Sequence, residues 1–213
     1  MGVLLRDVLI TAGATRNPID SIRYLSANSS GTTGVSLAEK LAAQGANVNL
    51  LGSPLALSIG NQNFNVREFT STRNLEKQMQ EWVETHPGGL ILHAAAVGDY
   101  EAETFHGKIS SGASELLLHL KPAPKILDQI RKWDPFCFLT SFKAAPPGTN
   151  IATLEAITEA QRQRTCSDLV FGNVLGALNQ NVTITDAQKT HLFDTREEGL
   201  HALYLRLTES LER

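Results

Sequence analysis

Seven small residues in a row, Asn28, Ser29, Ser30, Gly31, Thr32, Thr33 and Gly34, carry five hydrogen-bonding side chains and no bulk. Directly behind them, Val35, Leu37, Ala38, Leu41 and Ala42 fall on one side of a helical pattern that stops at Gly45. A helix N-terminus presents unpaired N–H groups and a partial positive charge. Small neighbours let an anion reach that backbone, and hydroxyls add donors. The segment therefore suits a phosphate cradle. It suits equally a plain helix start in which Thr32 or Thr33 caps the helix and the glycines serve turns. If it is a cradle, a β-branched residue at Gly31 should block the ligand and spare the fold.

Other nucleotide motifs fit poorly. A dinucleotide fingerprint needs G-x-G-x-x-G between strand and helix, but about twenty residues separate Gly13 from Gly34. There is no G-x-x-x-x-G-K-[S/T]. Tyr24, Tyr100 and Tyr204 are followed four positions on by Asn28, Thr104 and Thr208, so the Tyr-x-x-x-Lys of a short-chain dehydrogenase is missing. An NAD(P)-binding Rossmann oxidoreductase is the weakest reading. No spacing of His, Cys, Asp or Glu marks a metal site, and the metal is unknown at this stage. His93 interrupts an apolar run and suits a hydrogen-bonded core. Cys137 and Cys166 suit reduced thiols.

The elements that must position the segment are regular. Short apolar runs at residues 7–13, 47–53, 63–69, 89–97, 136–142 and 168–173 fit parallel strands covered on both faces. Helical patterns at 72–86, 123–133 and 150–164 lie between them, giving βαβα alternation. Residues 181–195 read as an antiparallel hairpin, followed by a closing helix. The expectation is an α/β, Rossmann-like doubly wound, mainly parallel sheet with a C-terminal antiparallel hairpin, in a single domain over residues 1–213. Ligands of such folds collect at the carboxyl ends of strands. The net charge of -3, with no basic run, argues against nucleic acid or an anionic membrane as partner. No apolar run reaches the roughly 20 residues of a membrane span. The opening "MGVLLRDVLITAG" is too short for a signal peptide and leads straight into a strand pattern, so a cytoplasmic protein is expected.

Taken in order, "ITAGATRNPIDSIRYLSANSSGTTG", "HAAAVGDY", "GKIS", "LKPAPKILDQI", "FK" and "DLVFGN" resemble the phosphopantothenate–cysteine ligase family, the synthetase half of the bacterial coenzyme A biosynthesis flavoprotein. The resemblance covers roughly residues 7–190. It implies activation of the 4'-phosphopantothenate carboxylate by CTP or ATP with Mg²⁺, then amide formation with cysteine. It also implies a homodimer and, since the flavin-dependent half is missing from this sequence, no flavin and a separate decarboxylase. By resemblance Gly13, Ser29, Ser30, Gly31 and Gly34 contact the triphosphate, with Thr15 and Arg16 in the same opening block. Ala94, Ala95 and Asp99 bind nucleotide. Lys121, Pro122, Ala123 and Pro124 run along it, Phe142 lies against base or ribose, and Asn173 completes the site. Lys108 is the catalytic lysine. Asp99 could instead cap a turn, Lys108 could be solvated, and Phe142 could be core.

The pattern also breaks. The family asparagine ahead of Ser-Ser-Gly falls on Ala27, with Asn28 one place later. A family glutamate falls on Ala145, the second residue of a Gly-Gly-Thr turn falls on Ala14, and two triphosphate-reaching lysines fall on Gln161 and Thr165. Arg162 and Arg164 are the neighbouring cations left to cover for them. A working ligase, a relative acting on another carboxylate, and a non-catalytic nucleotide-binding module all stay open.

Overall fold

The computed structural model describes residues 5–60, 63–112 and 114–212; residues 1–4 of the opening segment lie outside it. The chain runs β1 (Val8–Ala12), β2 (Arg16–Pro18), β3 (Tyr24–Ser26), α1 (Thr32–Ala43), β4 (Val48–Gly52), α2 (Pro54–Leu57), β5 (Asn65–Glu68), α3 (Thr72–Thr85) and β6 (Leu90–His93). It continues with β7 (Tyr100–Ala102), β8 (Leu120–Pro122), a 3₁₀ turn (Ile126–Asp128), α4 (Ile130–Trp133), β9 (Phe138–Ala145), α5 (Ile151–Thr165), β10 (Leu169–Val174), β11 (Gln180–Thr185), β12 (Thr190–Thr195) and α6 (Arg196–Leu211).

One sheet has the order β12-β11-β10-β9-β6-β1-β4-β5. Pairing is parallel from β5 through β10, and β11 and β12 add antiparallel to its end. The parallel part has the doubly wound strand order, so the expected architecture stands. Buried β-branched and leucine side chains fill both faces of β1, whose five residues are all buried. Val8 and Ile10 meet Leu37 and Leu41 of α1 and Leu203 and Leu207 of α6 on one face. Leu9 and Ile91 meet Leu75, Met79 and Trp82 of α3 on the other. Helix ends carry their own stops. Ser71, Asn150 and Thr195 cap α3, α5 and α6 through side-chain oxygens, and Gly45 ends α1 at a φ of 86°.

Two expectations change, and two short ribbons are new. The run at 63–69 is not a covered strand; β5 is the outer edge of the sheet, and all four of its residues are exposed. Its Arg67 and Glu68 suit an edge that must resist pairing with other chains. The helix expected over 123–133 shrinks to a 3₁₀ turn and four residues of α4. Pro124 keeps Ala123 extended, and Ala123 donates its N–H to Asp99 O at 2.9 Å instead of entering a helix. The short ribbons β2–β3 and β7–β8, too brief for periodicity to reveal, build an arm beside the sheet.

Candidate functional site

From β1 the chain moves to β4 on one side, and β6 lies on the other, so a crevice opens at the carboxyl end between β1 and β6. The loops beyond both strands stay paired. Ala96 N–H donates to Gly13 O at 2.8 Å and Thr15 N–H to Ala96 O at 3.1 Å, bridging Ala14 and Ala96. Thr11 Oγ accepts from Ala95 N–H at 3.1 Å and shares a hydrogen bond with Nδ1 of His93 at 2.9 Å. His93 is buried, and burial pushes its imidazole down to about 4, so it is the neutral core histidine expected. Thr15 has a structural part of its own. It is fully buried, and its hydroxyl oxygen takes Gly98 N–H at 2.9 Å and the Thr72 hydroxyl at 3.1 Å. It braces its own loop against the loop at Gly98 and the start of α3.

The glycines are here for packing. A Cβ on Gly13 would stand 1.9 Å from Ser53 Oγ, and one on Gly31 would stand 2.6 Å from Ala56 Cβ and 2.7 Å from the Gly13 nitrogen. Both have left-handed backbone, φ 91° and 84°. Gly34 lets α1 lie against β1, since a Cβ would come within 2.8 Å of Ala12 Cβ. A β-branched residue at Gly31 would therefore damage the fold itself, contrary to the sequence-based expectation. Phosphate binding would fall to other groups. Gly31 is the N-cap of α1 and no side chain caps that end, so Thr32 and Thr33 lie inside the helix and are not its caps. Ser30 Oγ lies 3.4 Å from Thr32 N and 2.8 Å from Thr32 Oγ. Among the described residues no acceptor takes the N–H of Thr33 or Gly34. Asn28 and Ser30 are exposed and Ser29 is half-buried.

Lys108 sits on the exposed loop of the arm, and its neighbours are tied to the opening loop. Gly107 O accepts Ser21 N–H at 3.0 Å, and Ile109 N–H donates to Asp20 at 3.0 Å. The same buried Asp20 carboxylate accepts Ile22 N–H at 2.9 Å, Arg23 N–H at 2.7 Å and the Arg23 guanidinium at 2.7 Å. Burial alone would raise this carboxyl. The N–H groups of Ile109, Ile22 and Arg23, with the Arg23 charge, outweigh it and hold the group down to about 2. Asp20 stood in the opening motif, but nothing in its spacing showed what it would hold.

The remaining residues divide. Ala94 and Ala95 line the crevice half-buried. Asp99 is exposed and paired with Lys125. Across β7–β8, Glu101 faces Lys121 and Tyr100 faces Pro122; Ala123 is buried and Pro124 half-buried. Arg16 places its guanidinium 4.9 Å from the Tyr24 ring centre. Phe142 packs on Phe171 with ring centres 5.2 Å apart, half in the core as its rival reading held. Asn173, two residues beyond Phe171 and so on the same face of β10, is buried, and its side chain has no hydrogen bond among the described residues. No group of three or more His, Cys, Asp or Glu able to hold a metal occurs among the described residues.

The model of the DNA/pantothenate metabolism flavoprotein C-terminal domain matches residues 4–203. The chain belongs to this family. The coenzyme A biosynthesis bifunctional protein CoaBC of Thermococcus kodakarensis is 36% identical over 175 residues, which is 81% of this chain and 42% of that protein. The chain spans about half the length of the curated relatives it matches. The solved DNA/pantothenate metabolism flavoprotein from Streptococcus pneumoniae has a TM-score of 0.85 at 25% identity, covering 96% of this chain and 99% of that one. The CoaBC C-terminal domain shares the fold, with a TM-score of 0.79 at 21% identity over 99% of each chain.

Family membership sharpens the departures. Ala27 is exposed beside Asn28, whereas Ala14 and Ala145 are buried. Gln161 and Thr165 are buried in α5, bonded to Ser141 Oγ at 2.9 Å and Ser167 Oγ at 2.7 Å. Arg162 is held by Glu159 at 2.7 Å, and Arg164 is paired with Asp128. Helix α5 leads into β10, so its end lies at the amino edge of the sheet, away from the crevice. Arg162 and Arg164 cannot cover for the two lysines. A cation at the carboxyl edge that sequence reasoning passed over is Arg196, which donates to Thr33 Oγ at 3.0 Å.

Proposed function

We propose that this domain joins 4'-phosphopantothenate to cysteine. The carboxylate attacks the α-phosphate of CTP or ATP and pyrophosphate leaves; the cysteine amine then attacks the acyl carbon and the nucleoside monophosphate leaves with the bonding electrons. Such chemistry depends on stabilising phosphate charge more than on a paired acid and base. The observation that carries the reading is the uncapped first turn of α1 at the crevice, where no acceptor among the described residues takes the N–H groups of Thr33 and Gly34. The hydroxyls of Ser29, Ser30 and Thr32 suit a cation that travels on the nucleotide; among the described residues no cluster of His, Cys, Asp or Glu offers a resident site. When bound, Mg²⁺ would neutralise phosphate oxygens.

Within this reading Lys108 stabilises the charge that develops as the acyl-nucleotide forms, its loop held by Asp20. Asn28 takes the place of the family asparagine near the reacting carbonyl, since Ala27 has no donor. Ala94, Ala95, Asp99, Lys121 and Asn173 border the nucleotide. The reading needs no flavin in this domain and fits a homodimer in the cytoplasm that receives its substrate from a decarboxylase. Among the described residues no helix is long and apolar enough to cross a membrane. A second reading, nucleotide binding without ligation, is favoured by Ala27 and by the buried Ala145. Pyrophosphate release with phosphopantothenate and each nucleotide, cysteine omitted, separates them. A burst of pyrophosphate supports the ligase, and nucleotide binding without release supports the module.

A further inference from the structure

The position of Arg196 is unfavourable for a cation in three ways. It is the first residue of α6, where the helix dipole repels positive charge. It is half-buried, and burial lowers its pKa with no carboxylate within ion-pairing distance among the described residues. Its Nη1 is covered and has no hydrogen-bond partner, which folded proteins seldom leave on a charged group. The end of α6 does not need it, because Thr195 and Glu198 form a complete capping box.

Topology explains where the charge goes. Strand β11 is antiparallel to β10 and β12 antiparallel to β11, so β12 is parallel to β10. Helix α6, which follows β12 directly, therefore starts at the same carboxyl edge as α1. The guanidinium lies 5.4 Å from the Phe171 ring centre and its Nη2 donates to Thr33 Oγ at 3.0 Å. A phosphate oxygen that takes the free N–H of Thr33 comes within reach of the guanidinium already bonded to that residue's hydroxyl.

We propose that Arg196 is a polyphosphate-binding residue, supplying positive charge from the start of α6 at the carboxyl edge, next to the first turn of α1. This rests on the nucleotide-binding reading above. Because Nη1 is covered, nucleotide binding draws the side chain toward the phosphates. The competing structural role is a plain tie between α6, β10 and α1.

The test compares wild type, Arg196→Met and Arg196→Lys in the full 213-residue chain. Calorimetry measures binding of CTP, ATP and inorganic tripolyphosphate, each with Mg²⁺, and thermal melts are recorded without ligand. Arg196→Met is expected to weaken nucleoside triphosphates and tripolyphosphate by about tenfold to a hundredfold. Its ligand-free melting temperature should equal or exceed that of wild type, because an uncompensated charge is removed. Arg196→Lys should recover part of the affinity. Wild-type affinity in both variants, with a lowered melting temperature in Arg196→Met, overturns the proposal in favour of the structural tie. If wild type itself binds no triphosphate, the nucleotide reading falls and the role of Arg196 falls with it; binding by wild type with no loss in the variants removes Arg196 alone.

Discussion

Gly31 and Gly45 sit at either end of α1 with nearly the same backbone, φ 84° and 86°, but in different surroundings. A Cβ on Gly45 would meet nothing within 4 Å, whereas one on Gly31 would meet Ala56 Cβ at 2.6 Å and the Gly13 backbone nitrogen at 2.7 Å. Gly45→Ala therefore measures the cost of the left-handed conformation alone, roughly 1–2 kcal/mol. Gly31→Ala adds overpacking of about 1–3 kcal/mol, because the atoms it strikes are a helix methyl and main chain. The total, roughly 2–5 kcal/mol, is a large part of a domain stability of about 5–15 kcal/mol. At about 2–4 °C per kcal/mol for a chain of this size, Gly31→Ala should melt about 4–20 °C below wild type and Gly45→Ala about 2–8 °C below. Ligand-free thermal and urea unfolding provide the assay. Equal losses at the two positions would refute the claim that Gly31 is fixed by packing against Gly13 and α2, and would return it to ligand clearance.

Further expectations rest on other contacts. Asp20→Asn puts a donor against either Ile109 N–H and the Arg23 guanidinium, or Ile22 and Arg23 N–H; turnover should fall by about tenfold or more through misplacement of the Lys108 loop, with nucleotide affinity by calorimetry little changed. In wild type the Asp20 carboxyl lies at about 2, against about 4 when unfolded, so its contribution is intact above pH 4 and lost as pH falls toward 2, visible in acid unfolding that Asp20→Asn shifts. His93 lies at about 4 against an unfolded value near 6.5, so protonation favours the unfolded chain; stability should fall between pH 6.5 and 4 by up to about 3 kcal/mol, a dependence that His93→Gln abolishes in pH-resolved melts. Lys108→Ala should lose about a hundredfold in pyrophosphate release while binding nucleotide normally, and undiminished turnover would return Lys108 to a solvated surface role. Sedimentation at micromolar concentration should show a dimer, and a monomer would defeat that part of the reading.

Sequence reasoning reached the sheet because β1, β4, β6, β9 and β10 are buried and apolar enough to stand out from the helices between them. It missed what is short or held by single bonds. Three-residue strands such as β2 and β7 have no period to detect. Pro124 was legible, but its power to stop a helix depended on Asp99 taking the Ala123 N–H. In the site, the small residues ahead of α1 were visible, but their purpose was not. Gly13 and Gly31 are explained by each other and by Ser53 and Ala56, contacts that only the folded chain reveals. Thr15 looked like a ligand donor because its partners, Gly98 and Thr72, are remote in sequence. Arg196 drew no notice because its meaning depends on β12 being parallel to β10, which sets the starts of α6 and α1 at one edge.

The most direct test of the ligase reading is mass spectrometry of a single-turnover reaction containing the protein, 4'-phosphopantothenate, cysteine, Mg²⁺ and either CTP or ATP. The account predicts an acyl-nucleotide that forms first and decays into the phosphopantothenoyl-cysteine amide, with pyrophosphate and nucleoside monophosphate in equal amounts. It predicts also that Asn28→Ala slows the decay without slowing the formation. Bound nucleotide that stays intact, or an acyl-nucleotide that never passes to cysteine in wild type, would contradict it.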